Sequence, residues 1–199
     1  MGTYTTLAEI KGSLSLSAQT YADADISNAI GAASGAVEQQ TGRRFDKDSS
    51  DSSRQFVPLS PGLVSFDDLV SFTSLSAQGS TWVKDSDFYL EPINAAAESR
   101  PYTAARAIGR QFLWTQRELD PSFPNWDGRV TVTGTYGWPA VPPEINEATR
   151  ILTIRLLRRV REATFGVVSL GLEGTAARIA SVDPDVRLLL QPYEKSFLS

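Results

Sequence analysis

The sequence predicts an α+β fold, a small helical bundle formed by N- and C-terminal segments with a β-rich insertion between the two main helices. Two observations carry this expectation. Apolar residues recur at helical spacing over 26–37 and again over 145–160, and the stretch between them alternates at period two or runs in short β-rich segments. The expected division is a helical domain over 1–45 and 141–199, with a C-terminal docking tail, and an insertion over 46–140.

Taken in order, Thr5 or Thr6 with Glu9 forms a capping arrangement that opens a short helix over about Leu7–Leu14. A stronger helix follows Asp23 and Asp25. Its apolar face is Ile26, Ala29, Ile30, Ala33 and Val37, spaced i, i+3, i+4, i+7 and i+11. Residues 29–36 are almost all small, which lets another helix approach closely. Gly42 supplies the C-cap ahead of Arg43-Arg44-Phe45.

Asp46–Ser53 is polar and of low complexity, and reads as an exposed loop. Gln55–Leu59, Leu69–Leu75, Thr81–Lys84 and Phe88–Leu90 are strand candidates separated by turn residues. Within Pro92–Gly128 only Arg110–Arg117 looks regular. Arg129–Thr135 is the clearest strand, ending in Tyr136-Gly137-Trp138-Pro139.

Pro142-Pro143-Glu144 starts the longest helix, about Pro143–Ala163, with proline where a first turn tolerates it. Ile145, Ala148, Leu152, Leu156 and Val160 form one stripe; Arg150, Arg158, Arg161 and Glu147 form the opposite one. Ile151 and Ile154 sit among those arginines, and apolar residues on a polar face point to a protein contact. Gly166–Ser181 shows little commitment to helix or strand. Asp183-Pro184-Asp185 then caps a short helix over Val186–Leu190, which Pro192 ends, leaving a tail over Tyr193–Ser199.

The chain has 199 residues, enough to bury roughly 70% of its extended surface without metal or disulfide staples. It contains no cysteine and no histidine, and a single methionine. Disulfides, thiolate nucleophiles, Ser-His-Asp catalysis and Cys- or His-based metal sites are thereby excluded. Formal charge is −4. The first 99 residues hold 6 basic and 13 acidic groups and the rest hold 13 and 10, so the halves carry −7 and +3. Fifteen of the 19 basic residues are Arg, a residue enriched at protein interfaces. An acidic chain is a poor free nucleic-acid binder. No apolar run approaches the roughly 20 residues of a membrane span. Met1–Thr6 formally fits a myristoylation pattern but lacks a polybasic second signal, and reads as the lead into a helix cap. The expectation is a soluble, unprocessed chain with no membrane partner.

Candidate chemistry is sparse. Asp67-Asp68 and Asp85/Asp87 are the carboxylate pairs a glycosidase would need, but both lie beside turn residues and read as solvated turn caps. Asp46, Asp48 and Asp51 alternate like a calcium loop without its central Gly and closing Glu. The glycines match neither a phosphate-binding loop nor a dinucleotide fingerprint. Trp114, Trp126 and Trp138 are stacking candidates that more commonly anchor loops. No nucleophile–base–orienter set is visible, so no catalytic residue, metal or cofactor is expected. The arginines Arg150, Arg158 and Arg161 suit a phosphate or a carboxylate-bearing partner, and equally a solvated face beside Glu147 and Glu162.

The order of motifs is more telling than any one of them. It runs Thr41-Gly42-Arg43-Arg44-Phe45, Asp87-Phe88-Tyr89-Leu90, Val130–Trp138, Val141-Pro142-Pro143-Glu144-Ile145, and Asp183-Pro184-Asp185-Val186-Arg187 to Pro192-Tyr193. This resembles the head–tail connector (adaptor) proteins of long-tailed bacteriophages, from about Tyr4 to Tyr193, with a longer and more irregular Pro92–Gly128 segment. The resemblance implies a non-enzymatic virion protein of the neck. Such a protein forms a ring, usually of twelve, joins the portal to the stopper or tail, and continues the channel for double-stranded DNA without sequence specificity.

It also implies roles for segments. Asp183–Ser199 would dock to the portal, with Asp185, Arg187, Tyr193, Phe197 and Leu198 beside Asp183. The two long helices would form the subunit contacts, through Ile30, Gly31, Gly35, Arg150, Ile151, Ile154, Arg158 and Arg161. The uneven charge of the two halves suits head-to-tail complementarity between copies. Two alternatives stand beside this: another neck or tail protein such as a stopper or tail terminator, and a carbohydrate-binding module or carboxylate-dependent glycosidase using the Trp-rich insertion.

Overall fold

The computed structural model describes residues 2–15, 21–112, 128–162, 167–170, 176–178 and 184–195. The chain divides into two compact units, Met1–Phe45 with Val141–Ser199, and Asp46–Ala140. Helices at both ends and an antiparallel sheet between them make this an α+β fold.

In the first unit, α1 (Leu7–Ser15) opens on a full capping box. The Glu9 amide donates to Thr6 Oγ1 at 3.3 Å, and Glu9 Oε2 accepts from the Thr6 amide at 2.8 Å and the Thr5 hydroxyl at 2.9 Å. α2 (Asp23–Thr41) has Asp23 and Asp25 in its first turn, where carboxylates complement the helix dipole. It stops at Gly42, whose left-handed φ of 65° turns its amide onto the Glu38 carbonyl at 2.9 Å. Its buried residues are Ile26, Ile30, Ala33, Ser34, Val37 and Thr41, the anticipated face with Ala29 only half-buried.

The buried line of α3 (Pro143–Glu162) differs from the expected stripe. It runs Ile145, Ala148, Thr149, Thr153 and Leu157, while Leu152 and Leu156 are half-buried; the side chain of Val160 lies outside the described residues. Both threonines are polar, yet each hydroxyl donates to the carbonyl four residues back at 2.7 Å and so enters the interior satisfied. Ile10, Leu14, Ile26, Ile30 and Leu157 form one buried cluster, with Leu7, Tyr21, Ala29 and Ile154 packed against it.

Two further elements follow. The glycine-containing stretch expected to be uncommitted contains two antiparallel paired strands, β7 (Val167–Leu170) and β8 (Ala176–Arg178); the adjacent valines favour strand. α4 (Pro184–Leu190) buries Val186 and Leu190 and runs into a 3-10 turn over Gln191–Tyr193. Pro192 therefore does not open a free tail. It lies inside that turn, where its fixed φ is tolerated.

The second unit is a sheet of six antiparallel strands: β1 (Ser52–Phe56), β2 (Leu63–Ala77), β3 (Ser80–Trp82), β4 (Phe88–Glu91), β5 (Tyr102–Ala107) and β6 (Val130–Tyr136). The order is β1-β6-β2-β5-β4, with β3 on β2. β2 is the organising strand. Its first part pairs with β5 and its second with β6 and β3, with register shifts between Ser65 and Leu69 against β5, and between Leu69 and Ser71 and between Phe72 and Ser74 against β6. Such irregularities bend a strand, and both parts face one core that includes Val64, Leu69, Leu75, Phe88, Val132 and Tyr136.

Here too the sequence expectations needed adjustment. β5 falls within the segment that had seemed irregular. β1 starts inside the polar stretch expected to be a loop, because that stretch is bonded to the sheet. Arg54 contacts Asp48 and Asp67 at 3.0 Å each and lays its guanidinium 3.9 Å from the Tyr136 ring centroid. Asp51 accepts from Thr73 at 2.5 Å and Thr135 at 2.6 Å, which holds its carboxyl below the usual range.

Candidate docking segment and subunit-contact face

The C-terminal segment is held by side chains from across the helical unit. Phe45, fully buried just beyond α2, stands between two tyrosines. The Tyr4 ring meets it edge-on at 5.6 Å and the Tyr193 ring at 5.7 Å. The Tyr4 hydroxyl donates to Glu38 Oε1 at 2.5 Å and accepts the Phe45 amide at 3.1 Å. Tyr193 is fixed at three points: its ring on Phe45, its carbonyl accepting Arg43 Nε at 2.8 Å, and its hydroxyl donating to Glu144 at 2.8 Å. Beyond it, the Lys195 amide donates to the Thr41 carbonyl at 2.9 Å.

Hydrogen bonds also set the local electrostatics. The Glu144 carboxyl is lowered first by a backbone N–H at the start of α3 and then by the Tyr193 hydroxyl. Glu9 falls to about 2, through the Thr6 amide, the Thr5 hydroxyl and the Asn146 amide group. Asn146 donates to the Tyr4 carbonyl as well, at 2.8 Å, so the N-terminal cap, α3 and the C-terminal segment form one bonded network.

Of the proposed docking residues, Asp185 and Arg187 are exposed on α4, and Tyr193 is half-buried and acts as the tether just described. Asp183, Phe197 and Leu198 lie outside the described residues. Leu188, for which the sequence carries no local signal, is 70% exposed on α4.

Of the proposed subunit-contact residues, Ile30 is 5% exposed and belongs to the chain's own core. Ile154 is half-buried and packs against that same cluster. Both therefore serve internal packing first, in the cluster to which α1 contributes Ile10 and Leu14. Gly31, Gly35 and Ile151 are half-buried, Arg158 is exposed, and Arg150 pairs with Glu147 at 2.5 Å. The side chain of Arg161 lies outside the described residues.

The carboxylate pairs take structural roles. Asp67-Asp68 is in β2, not at a turn: Asp67 binds Arg54, and Asp68, 5% exposed, accepts the Trp138 indole N–H at 3.0 Å. Asp87 does cap a turn, accepting the Val83 amide at 2.8 Å while pairing with Arg110 at 3.0 Å. Among the described residues no three acidic side chains converge as a metal site would require.

No known family profile matches this sequence, and no curated protein matches it. A solved structure does. One chain of the structure titled "Neck of empty GTA particle computed with C6 symmetry" superposes with a TM-score of 0.56 at 17% identity, covering 96% of this chain and 90% of that one. The two chains share a fold. The matched residues take in elements of both the helical and the β-rich unit.

Proposed function

We propose that this protein is a non-enzymatic structural component of a virion neck. GTA denotes a gene transfer agent, a phage-like particle, and the matching chain comes from the neck of one. The single observation that carries the reading is the near-complete coverage of both chains, which agrees with the motif order in the sequence. More finely, the protein is a head–tail adaptor. Its helical unit (1–45 with 141–199) forms a ring beneath the portal, and together the copies continue the DNA channel toward the stopper or tail. Sixfold symmetry, as used for the related neck, is compatible with six copies or with twelve.

In this reading Asp185, Arg187 and Leu188 on α4 present the portal-docking surface, and Tyr193 holds it in place. Electron microscopy of portal mixed with this protein tests the proposal directly. A ring docked on the portal is expected, and its consistent absence overturns the reading. Deleting Asp183–Ser199 should abolish docking; retained docking would rule this segment out as the portal-docking surface.

A further inference from the structure

α2 and α3 run antiparallel. Ile26 and Ile30 near the start of α2 share a cluster with Leu157 near the end of α3. At the opposite end Tyr4 bonds both Ser34 of α2 and, through its carbonyl, Asn146 of α3. The start of α2 is therefore level with the end of α3. The two helices are also opposite in charge. α2 carries Asp23, Asp25 and Glu38 with no Lys or Arg, whereas Arg150–Arg159 of α3 holds four Arg and no Asp or Glu. Asp25, Arg158 and Arg159 are exposed, and no ion pair among the described residues uses them.

We propose that the exposed α2 face of one copy receives the α3 arginine face of a second copy, head to tail. The proposal deepens the neck-ring reading and rests on it. In a ring whose axis runs along this helix pair, rotation preserves height, so only patches at the same level can meet; the antiparallel pairing provides that condition. Asp25, Asn28, Ala32 and Ala36 form one exposed, short-chained face of α2 at helical spacing. On α3, Ile151, Arg155 and Arg158 form the facing ridge, with an apolar residue to bury between charges. A twofold axis through the arginine face itself would instead set arginine against arginine, at a repulsive cost.

The absence of cysteine from the chain makes the test clean. Full-length Asn28→Cys and Ile151→Cys chains are mixed and treated with a short bis-maleimide, after thermal melts show that both fold; Arg155→Cys replaces Ile151→Cys if the latter does not. The mixed dimer should exceed either homodimer several-fold. Arg158→Asp in the α3-labelled chain should cut that yield several-fold, and Asp25→Arg in the α2-labelled chain should restore it. Absent or minor mixed product, or no response to charge reversal, overturns the contact. A ring docked on the portal without mixed product would sink this contact and leave the neck reading standing. Mixed product with no ring on the portal would do the reverse.

Discussion

The Tyr193 ring lies edge-on to Phe45, centroids 5.7 Å apart and planes at 79°, while its hydroxyl reaches Glu144. Tyr4 takes the other side of Phe45. One buried phenylalanine is thus where an N-terminal and a C-terminal tyrosine of the helical unit meet.

Replacing Tyr193 separates the ring from the hydroxyl. Tyr193→Phe keeps the aromatic contact and loses one exposed hydrogen bond, costing under about 1 kcal/mol. Tyr193→Ala removes the edge contact, worth about 0.5–1.5 kcal/mol beyond the buried area. Hydrogen exchange of the 184–195 amides should accelerate clearly in the alanine variant and little in the phenylalanine one. Equal acceleration in both would show that the hydroxyl is the tether.

Acid should weaken the fold in part through the N-terminal cap. The Glu9 carboxyl titrates at about 2 in the folded chain against an ordinary 4.5. A depressed carboxylate contributes stability that is complete above its unfolded pKa and is lost as pH falls through the folded one. The window is therefore about pH 4.5 down to about pH 2. Glu144 and Asp51 are lowered as well and add to the same slope. Thermal melts across this range should fall more steeply for the native chain than for Glu9→Gln, with the curves converging near pH 2. Parallel curves would dismiss the capping carboxylate as a source of acid sensitivity.

Two glycines should respond in opposite ways to alanine. Gly137 has φ of +112°, and a Cβ there would collide with the Asp46 carbonyl oxygen, which is backbone and cannot move aside. Gly137→Ala should cost at least about 2 kcal/mol in urea unfolding. Gly31 is helical, and a Cβ there would meet nothing within 4 Å. Gly31→Ala should stabilise the isolated chain by about 0.5–1 kcal/mol, since alanine is the better helix former.

Legibility in the sequence followed the strength of local signals. α2 and α3 were readable because apolar spacing and terminal residues such as Gly42 and Pro143 agree. β5 was not, because Tyr102–Ala107 lacks a long alternating run and gains its place by pairing with β2 and β4. The length of β2 was hidden for a related reason: Asp67 and Asp68 interrupt an apolar strand, and partners distant in sequence, Arg54 and Trp138, engage them there. The docking segment was legible as a capped helix. Its anchor was not, since nothing near Tyr193 in sequence indicates that Phe45 and Glu144 await it.

The Asp68–Trp138 pair offers a sharper test of that last kind of contact. Asp68 is 5% exposed and Trp138 8%, and the indole N–H donates to the carboxylate at 3.0 Å. The backbone is engaged too, since the Gly137 amide donates to the Asp68 carbonyl at 2.8 Å. Asp68→Ala removes the acceptor of a buried donor, which costs about 1–3 kcal/mol. Asp68→Asn retains an acceptor of the same shape and should lose less. If the hydrogen bond is the reason, adding Trp138→Phe to Asp68→Ala should cost less than Trp138→Phe costs in the native chain, because the orphaned N–H leaves with the indole. Urea unfolding of the four chains measures this coupling. Strict additivity would mean that Asp68 is kept in the core by its other contacts and that the indole bond is incidental.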